Sequence, residues 1–246
     1  MSFGRYHRVN RQTIPRPILP QTVLITRPQD DATRLAQDLR ALVPGAAVLT
    51  APVLEIVPCV PSVTTQRYDA VILTSRHAAQ AAMEMFPKLT AYCVGDATAQ
   101  AAQSIGLMAV SVAGSADDLI AYLAEKPLCR AIHLHGKHTR GDVAGRLTAG
   151  GLETDDAVVY DQQARTWTSE EQNSVAQAQS LVVPLYSPRS AQILSKRLEI
   201  YCGRLTLVAM SQACLDAWSG PAPICSIVAQ HPDGATMKHA IASQLT

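Results

Sequence analysis

Ala70-Val-Ile-Leu-Thr-Ser75 and Leu181-Val-Val-Pro-Leu-Tyr-Ser187 are the stretches on which the fold turns. Each is a short aliphatic run without polar alternation, the pattern of a strand covered on both faces, and each ends on a serine that leads into a helical segment. The similarity continues downstream. Leu89-Thr-Ala-Tyr-Cys-Val-Gly95 echoes Leu205-Thr-Leu-Val-Ala-Met-Ser211, and Val112-Ala113 before Asp117 echoes Val228-Ala229 before Asp233. These last two pairs share an offset of 116 residues, from 95 to 211 and from 117 to 233. A common offset across separate segments marks an internal duplication.

Working outward, short apolar runs alternate with helical stretches along the chain. VLIT (23–26) precedes a helix from Asp31 to Leu42, with Leu35, Leu39 and Leu42 on one face, and then AAVL (46–49). Further runs are AYCV (91–94), MAVSV (108–112), AIHL (131–134), AVVY (157–160) and CSIV (225–228), and helices are expected to begin near Arg76, Asp96, Asp117, Arg140, Pro188, Gln212 and Asp233. The segment from Val23 to Val57 has its own weaker partner in Ile132 to Gln163. Strand–helix alternation of this kind predicts an α/β fold with parallel sheets covered by helices, and the duplication predicts two similar lobes of about 100 residues each.

Composition narrows the function classes. The 246 residues carry 21 Lys and Arg against 20 Asp and Glu, with only 17% charged residues, so neither a nucleic-acid footprint nor a polybasic membrane patch is present. Of the 48% hydrophobic residues few are aromatic, which leaves Ala, Leu, Val and Ile to build the core. Cys59, Cys93, Cys129, Cys202, Cys214 and Cys225 are widely spaced with no CxxC pair, and no secretory signal precedes the first strand, so they read as reduced thiols of a cytoplasmic protein. Ala97 to Ala116 lacks charge, but its Gln, Ser and Gly residues favour a helix followed by a strand over a membrane span. Residues 1–20, with four Arg, three Pro and no apolar periodicity, are expected to form a flexible basic tail.

Ligands of open parallel sheets bind beyond the carboxyl ends of the strands. The loops expected there are Thr26-Arg27-Pro28, Thr74-Ser75-Arg76, Val94 to Thr98, His135 to Arg140, Ser187-Pro188-Arg189 and Ser211-Gln212, rich in hydroxyls and Arg. Helix N-termini with free N–H groups receive anions, so such loops suit a polyanionic small molecule; N-capping is the plainer role for Ser75 and for Ser187 ahead of Pro188. Sharper motifs are missing. Gly136-Lys137-His138 lacks the rest of a phosphate-binding loop, no GxGxxG follows the first strand, and no GxSxG surrounds Ser75 or Ser187. His133 and His135 fall on one face of a strand with His138 just beyond, a spacing open to a metal but more simply a half-buried pair and a loop histidine.

With these residues in view, the chain resembles the uroporphyrinogen-III synthase family. VLITRP (23–28) resembles its opening strand, Pro52-Val-Leu-Glu-Ile-Val-Pro58 its linker strand, Tyr68-Asp-Ala-Val-Ile-Leu-Thr-Ser75 its "FD-apolar-TS" segment and Val94-Gly-Asp-Ala-Thr98-Ala its "VGxxTA" segment. Gly150-Gly-Leu-Glu through Val158-Val-Tyr160 resembles the return strand "G…VYR", with Asp161 in place of the usual basic or polar residue. Leu181 to Ser190 and Leu205 to Leu215 resemble the second-lobe copies, except that Cys214 replaces a common Thr. His231 falls in a loop where the family varies. The likeness runs in order from about Val23 to Leu245.

The resemblance implies two flavodoxin-like lobes joined by a two-stranded linker, the first lobe discontinuous (21–53 with 161–246) and the second spanning 54–160. It implies a cofactor-independent, metal-free monomer that binds the small molecule hydroxymethylbilane in a cleft between the lobes, removes its terminal hydroxyl as water and closes the ring with ring D inverted through a spiro intermediate. Tyr160 matches the family's tyrosine and would donate to the leaving hydroxyl; a tyrosine at a strand end with its hydroxyl in water is the alternative. Ser75, Thr98, Ser187 and Ser211 would bind carboxylates at helix starts, and Arg27, Arg76, Lys137, Arg140 and Arg189 would add positive charge. The rival reading is a non-catalytic bilobed small-molecule-binding or regulatory module, because the same architecture serves sensing.

Overall fold

A computed structural model describes residues 21–61, 63, 67–139 and 141–245. The expected basic tail (1–20) and Arg140 lie outside the described residues. The chain opens with β1 (Thr22–Ile25), α1 (Gln29–Leu42), β2 (Ala47–Thr50) and β3 (Leu54–Pro58). β4 (Ala70–Leu73) leads through a 3₁₀ turn (Arg76–Ala78) into α2 (Ala79–Met85), then β5 (Thr90–Cys93), α3 (Asp96–Ser104), β6 (Ala109–Ser111) and α4 (Ala116–Ala124). β7 (Arg130–Gly136), α5 (Val143–Ala149) and β8 (Glu153–Ala164) follow. The last stretch holds α6 (Ser169–Gln177), β9 (Ser180–Leu185), α7 (Pro188–Arg197), β10 (Arg204–Ala209), α8 (Gln212–Asp216), β11 (Cys225–Val228) and α9 (Gly234–Ala242).

Local chemistry sets most helix starts. Ser187 accepts from the Ser190 N–H with Pro188 at the first helical position, Ser115 and Asp118 form a reciprocal capping box, and Asp233 caps α9. Three expectations need correction. α5 begins at Val143 rather than near Arg140, because Asp142 caps it through the Gly145 N–H. Leu42 does not share the buried face of Leu35 and Leu39 but is 47% exposed, since α1 is ending there. α6 went unanticipated, although its Thr168–Glu171 capping box is written in the sequence.

The described residues fall into two compact units, one gathering those up to Ala51 and from Trp167 onward, the other Pro52–Thr166. In the first, the strands lie in the order β2-β1-β9-β10-β11, all parallel. In the second the order is β6-β5-β4-β7-β8-β3, parallel as far as β8 and antiparallel between β8 and β3. If β7 and β8 are matched to β1 and β2, and β4, β5, β6 to β9, β10, β11, the two sheets have the same spatial order, reached by a circular permutation of the chain. That is the structural content of the duplicated sequence. β8 serves two roles: its first part pairs with β7, and Tyr160–Ala164 pairs with Leu54–Pro58 of β3.

Burial follows the predicted pattern. β4 and β9 are buried along their whole length, whereas the edge strands β6 and β11 are partly exposed. Pro184 sits inside β9, where a missing N–H would break a full ladder on either side; the β1–β9 ladder runs only from Thr22–Leu181 to Val23–Val182 and stops short of it. One face of the second sheet packs Val71, Leu73, Ile132, Leu134 and Tyr160 under α2 and α3, and the other packs Ala70, Ile72 and Ala131 against Leu119, Leu123 and Leu147. All six cysteines are free, and no helix among the described residues is long and apolar enough to cross a membrane.

Candidate functional site

In each sheet the direction of strand succession reverses at one place, between β4 and β7 in the second unit and between β1 and β9 in the first. Loops leaving the carboxyl ends of strands on either side of such a reversal diverge and leave a crevice. In the second unit that crevice is a cavity of about 370 Å³ lined by Thr74 and Ser75 after β4, Gly136, His138 and Thr139 at and beyond the end of β7, and Tyr160 and Gln162 of β8. Three hydroxyl-bearing loop residues and a tyrosine therefore line it.

Each wall is fixed locally. Ser75 has extended backbone and its Oγ accepts from the His77 N–H at 3.3 Å, which caps the 3₁₀ turn. Tyr160 is 6% exposed and lines the cavity. It packs edge-on to the His77 ring at 5.6 Å between centroids and lies over Gly136, while the Lys137 N–H donates to its carbonyl at 2.9 Å. The β7–β8 register slips between His135 and Gly136, bringing Gly136 opposite Tyr160.

Behind the cavity lies a histidine pair. His133 Nε2 is 3.0 Å from Thr74 Oγ1, and the His133 and His135 rings lie 4.8 Å apart. His135 is tethered at both nitrogens, to the Gly136 carbonyl at 2.9 Å and the Asp156 carboxylate at 3.1 Å. Burial, and next the neighbouring His135, push the His133 pKa down to about 4. Among the described residues no group of three or more His, Cys, Asp or Glu side chains converges as a metal site, and His138 turns instead to Asp161, its Nε2 lying 3.3 Å from the carboxylate.

The other expected site residues divide between the units. Arg76 follows Ser75 in the 3₁₀ turn and is half-buried. Thr98 is buried in the first turn of α3, its N–H donating to the Gly95 carbonyl, and does not line the cavity. Lys137 is largely exposed and 3.8 Å from Asp161, the residue at which the chain departs from the resembled pattern. In the first unit Ser187 caps α7, Arg189 is half-buried in the first turn of that helix, and the Ser211 Oγ meets the Cys214 Sγ at 3.3 Å instead of capping α8. Also in the first unit, Arg27, in the loop after β1, bonds Asp31 at 2.8 Å and its guanidinium lies 4.3 Å from the centre of the Tyr186 ring. Burial raises the Tyr186 hydroxyl above its ordinary range, and Arg27 opposes the shift. The sequence singles out neither Thr139 nor Gln162, and it offers His133 as a metal ligand or a half-buried strand residue; no local signal marks them for the crevice, because strand order brings them there.

The family model described as uroporphyrinogen-III synthase HemD matches residues 20–237. No curated protein matches the chain. Among solved structures, a uroporphyrinogen-III synthetase from Helicobacter pylori 26695 superposes with a TM-score of 0.59 at 17% identity, covering 82% of this chain and 94% of its own. The uroporphyrinogen III synthase of the extremely thermophilic bacterium Thermus thermophilus is 15% identical over 91% of this chain and 98% of its own, with a TM-score of 0.40. The first likeness is one of fold.

Proposed function

From the premise that the chain belongs to the uroporphyrinogen-III synthase family, we propose that it is a cyclising lyase of tetrapyrrole synthesis that converts hydroxymethylbilane to uroporphyrinogen III with inversion of ring D and loss of water. The observation that carries the reading to particular residues is the hydroxyl-lined crevice between β4 and β7, with Tyr160 in its lining.

The reaction asks for a shaped, polar pocket more than for a nucleophile. The pyrrole nitrogen next to the hydroxymethyl carbon pushes out the hydroxyl, which leaves as water once a proton reaches it. Ring D then attacks the resulting electrophilic carbon through its substituted position, and the spiro intermediate opens and recloses with that ring inverted, releasing one ring proton. Tyr160 is the residue assigned to donate to the departing oxygen: its hydroxyl lies in a partly desolvated pocket, where one aimed donor acts more strongly than it does in water. The crevice takes the reacting end of the chain and, by holding ring D with its substituted carbon toward the electrophile, disfavours direct closure to the uninverted isomer.

Ser75 and Thr98 in the second unit, and Ser187 and Ser211 in the first, are assigned to substrate carboxylates, with Arg27, Arg76, Lys137, Arg140 and Arg189 adding positive charge. Arg27 already answers Asp31, so its contribution depends on sharing its guanidinium. Protein in the cytoplasm, acting as a monomer without cofactor, suffices for this scheme. The deciding experiment supplies freshly made hydroxymethylbilane and separates the oxidised products chromatographically. Type III isomer above the spontaneous background is expected; type I alone overturns the reading.

A further inference from the structure

We propose that His133 is a positioning residue for this reaction, and that it fixes, through Thr74, the direction in which a hydroxyl is presented to the substrate. The inference rests on the functional reading above and extends it to two residues that reading leaves unused.

Ile72 pairs with His133 across β4 and β7, and Thr74, two residues further along β4's direction, lies on the same side of the sheet. There the His133 Nε2 meets Thr74 Oγ1 at 3.0 Å, and Thr74 is one wall of the cavity. The imidazole is 2% exposed, lying against His135, which is itself held by the Gly136 carbonyl and by Asp156. A ring so enclosed keeps its orientation. A threonine hydroxyl owns one proton and two lone pairs. When Nε2 carries the imidazole proton it donates to Thr74, one lone pair is used, and the threonine's own proton is left for the cavity. An ionised substrate carboxylate offers only acceptors, so toward such a group this tautomer is the productive one. The opposite tautomer takes the threonine proton and turns a lone pair toward the substrate, which repels it. His133 thereby specifies a carboxylate at this wall without bringing charge to it.

The test compares wild type with H133L, H133Q, T74V and the H133L/T74V double variant, each first checked by thermal melting. kcat and KM are measured for type III isomer formation. H133L and T74V are each expected to raise KM about tenfold, the scale of one hydrogen bond to a charged group. The double variant should be no worse than either single one, because the two side chains form one device. H133Q, whose amide can donate from the place of Nε2, should recover most of the loss. Losses that multiply in the double variant, an H133Q as impaired as H133L, or an unchanged KM in T74V each overturn the inference. Should H133L fail to fold, T74V and H133Q decide alone. Wild-type protein that makes no type III isomer overturns the functional reading, and this inference with it; wild-type turnover with multiplying losses overturns the inference alone.

Discussion

Gly136 and Tyr160 are matched so closely that a Cβ on the glycine would stand 2.5 Å from Cε2 and Cζ of the tyrosine ring and 2.9 Å from its hydroxyl. The two residues oppose each other at the slip in the β7–β8 register, and no side chain fits between strand and ring.

Replacing Gly136 by Ala therefore forces the ring out of its place or strains the strand. A stability loss of about 1–3 kcal/mol is expected, together with slower type III formation. Urea unfolding and steady-state rates on G136A check both; wild-type values for both would show that the ring has room to spare.

Tyr160→Phe keeps the packing over Gly136 and removes only the hydroxyl. kcat should fall about 100-fold, with KM changed by about twofold or less, since the group acts on the leaving oxygen more than on binding. An unchanged kcat removes Tyr160 from the chemistry.

His133 makes stability depend on pH. Its folded pKa of about 4 lies below the ordinary value of 6.5. Between those values the unfolded chain holds a proton that the folded chain refuses, so stability is full above about pH 6.5 and falls as the pH drops toward 4, by about 3 kcal/mol at most. Denaturant melts from about pH 7.5 to about pH 4 should show a shallower decline for H133Q than for wild type; parallel curves would mean that His133 titrates normally.

Trp167 is 5% exposed and donates its indole N–H to the Ala51 carbonyl at 2.9 Å, beneath the guanidinium of Arg197. W167F leaves that carbonyl unpaired and should cost about 1–3 kcal/mol, read as a lower urea midpoint with an unchanged denaturant slope. A midpoint equal to wild type would show that water replaces the bond.

How much of this was legible beforehand depends on the range over which each residue acts. Ser75, Ser187 and Asp233 announce their helices because a cap needs only a hydroxyl or carboxylate and the N–H two or three residues on. Thr168 and Glu171 carried the same signal. Ser75, which lines the cavity, stood out for the same reason, and Tyr160 stood out through its family motif. Thr74 and His133 are 59 residues apart, and nothing local to either one names the other.

The amino-acid sequence alone determined the alternation of buried strands and helices, the duplicated halves and the capped loops at the carboxyl ends of the strands, because hydropathy period and capping act within a few residues. Tertiary structure decided the rest: the permuted strand order, the crevice that opens between β4 and β7, the stacking of Arg27 on Tyr186, and the contact of Gly136 with Tyr160. These depend on which distant strands become neighbours, and pairing is settled by the burial of whole faces, which no single segment encodes.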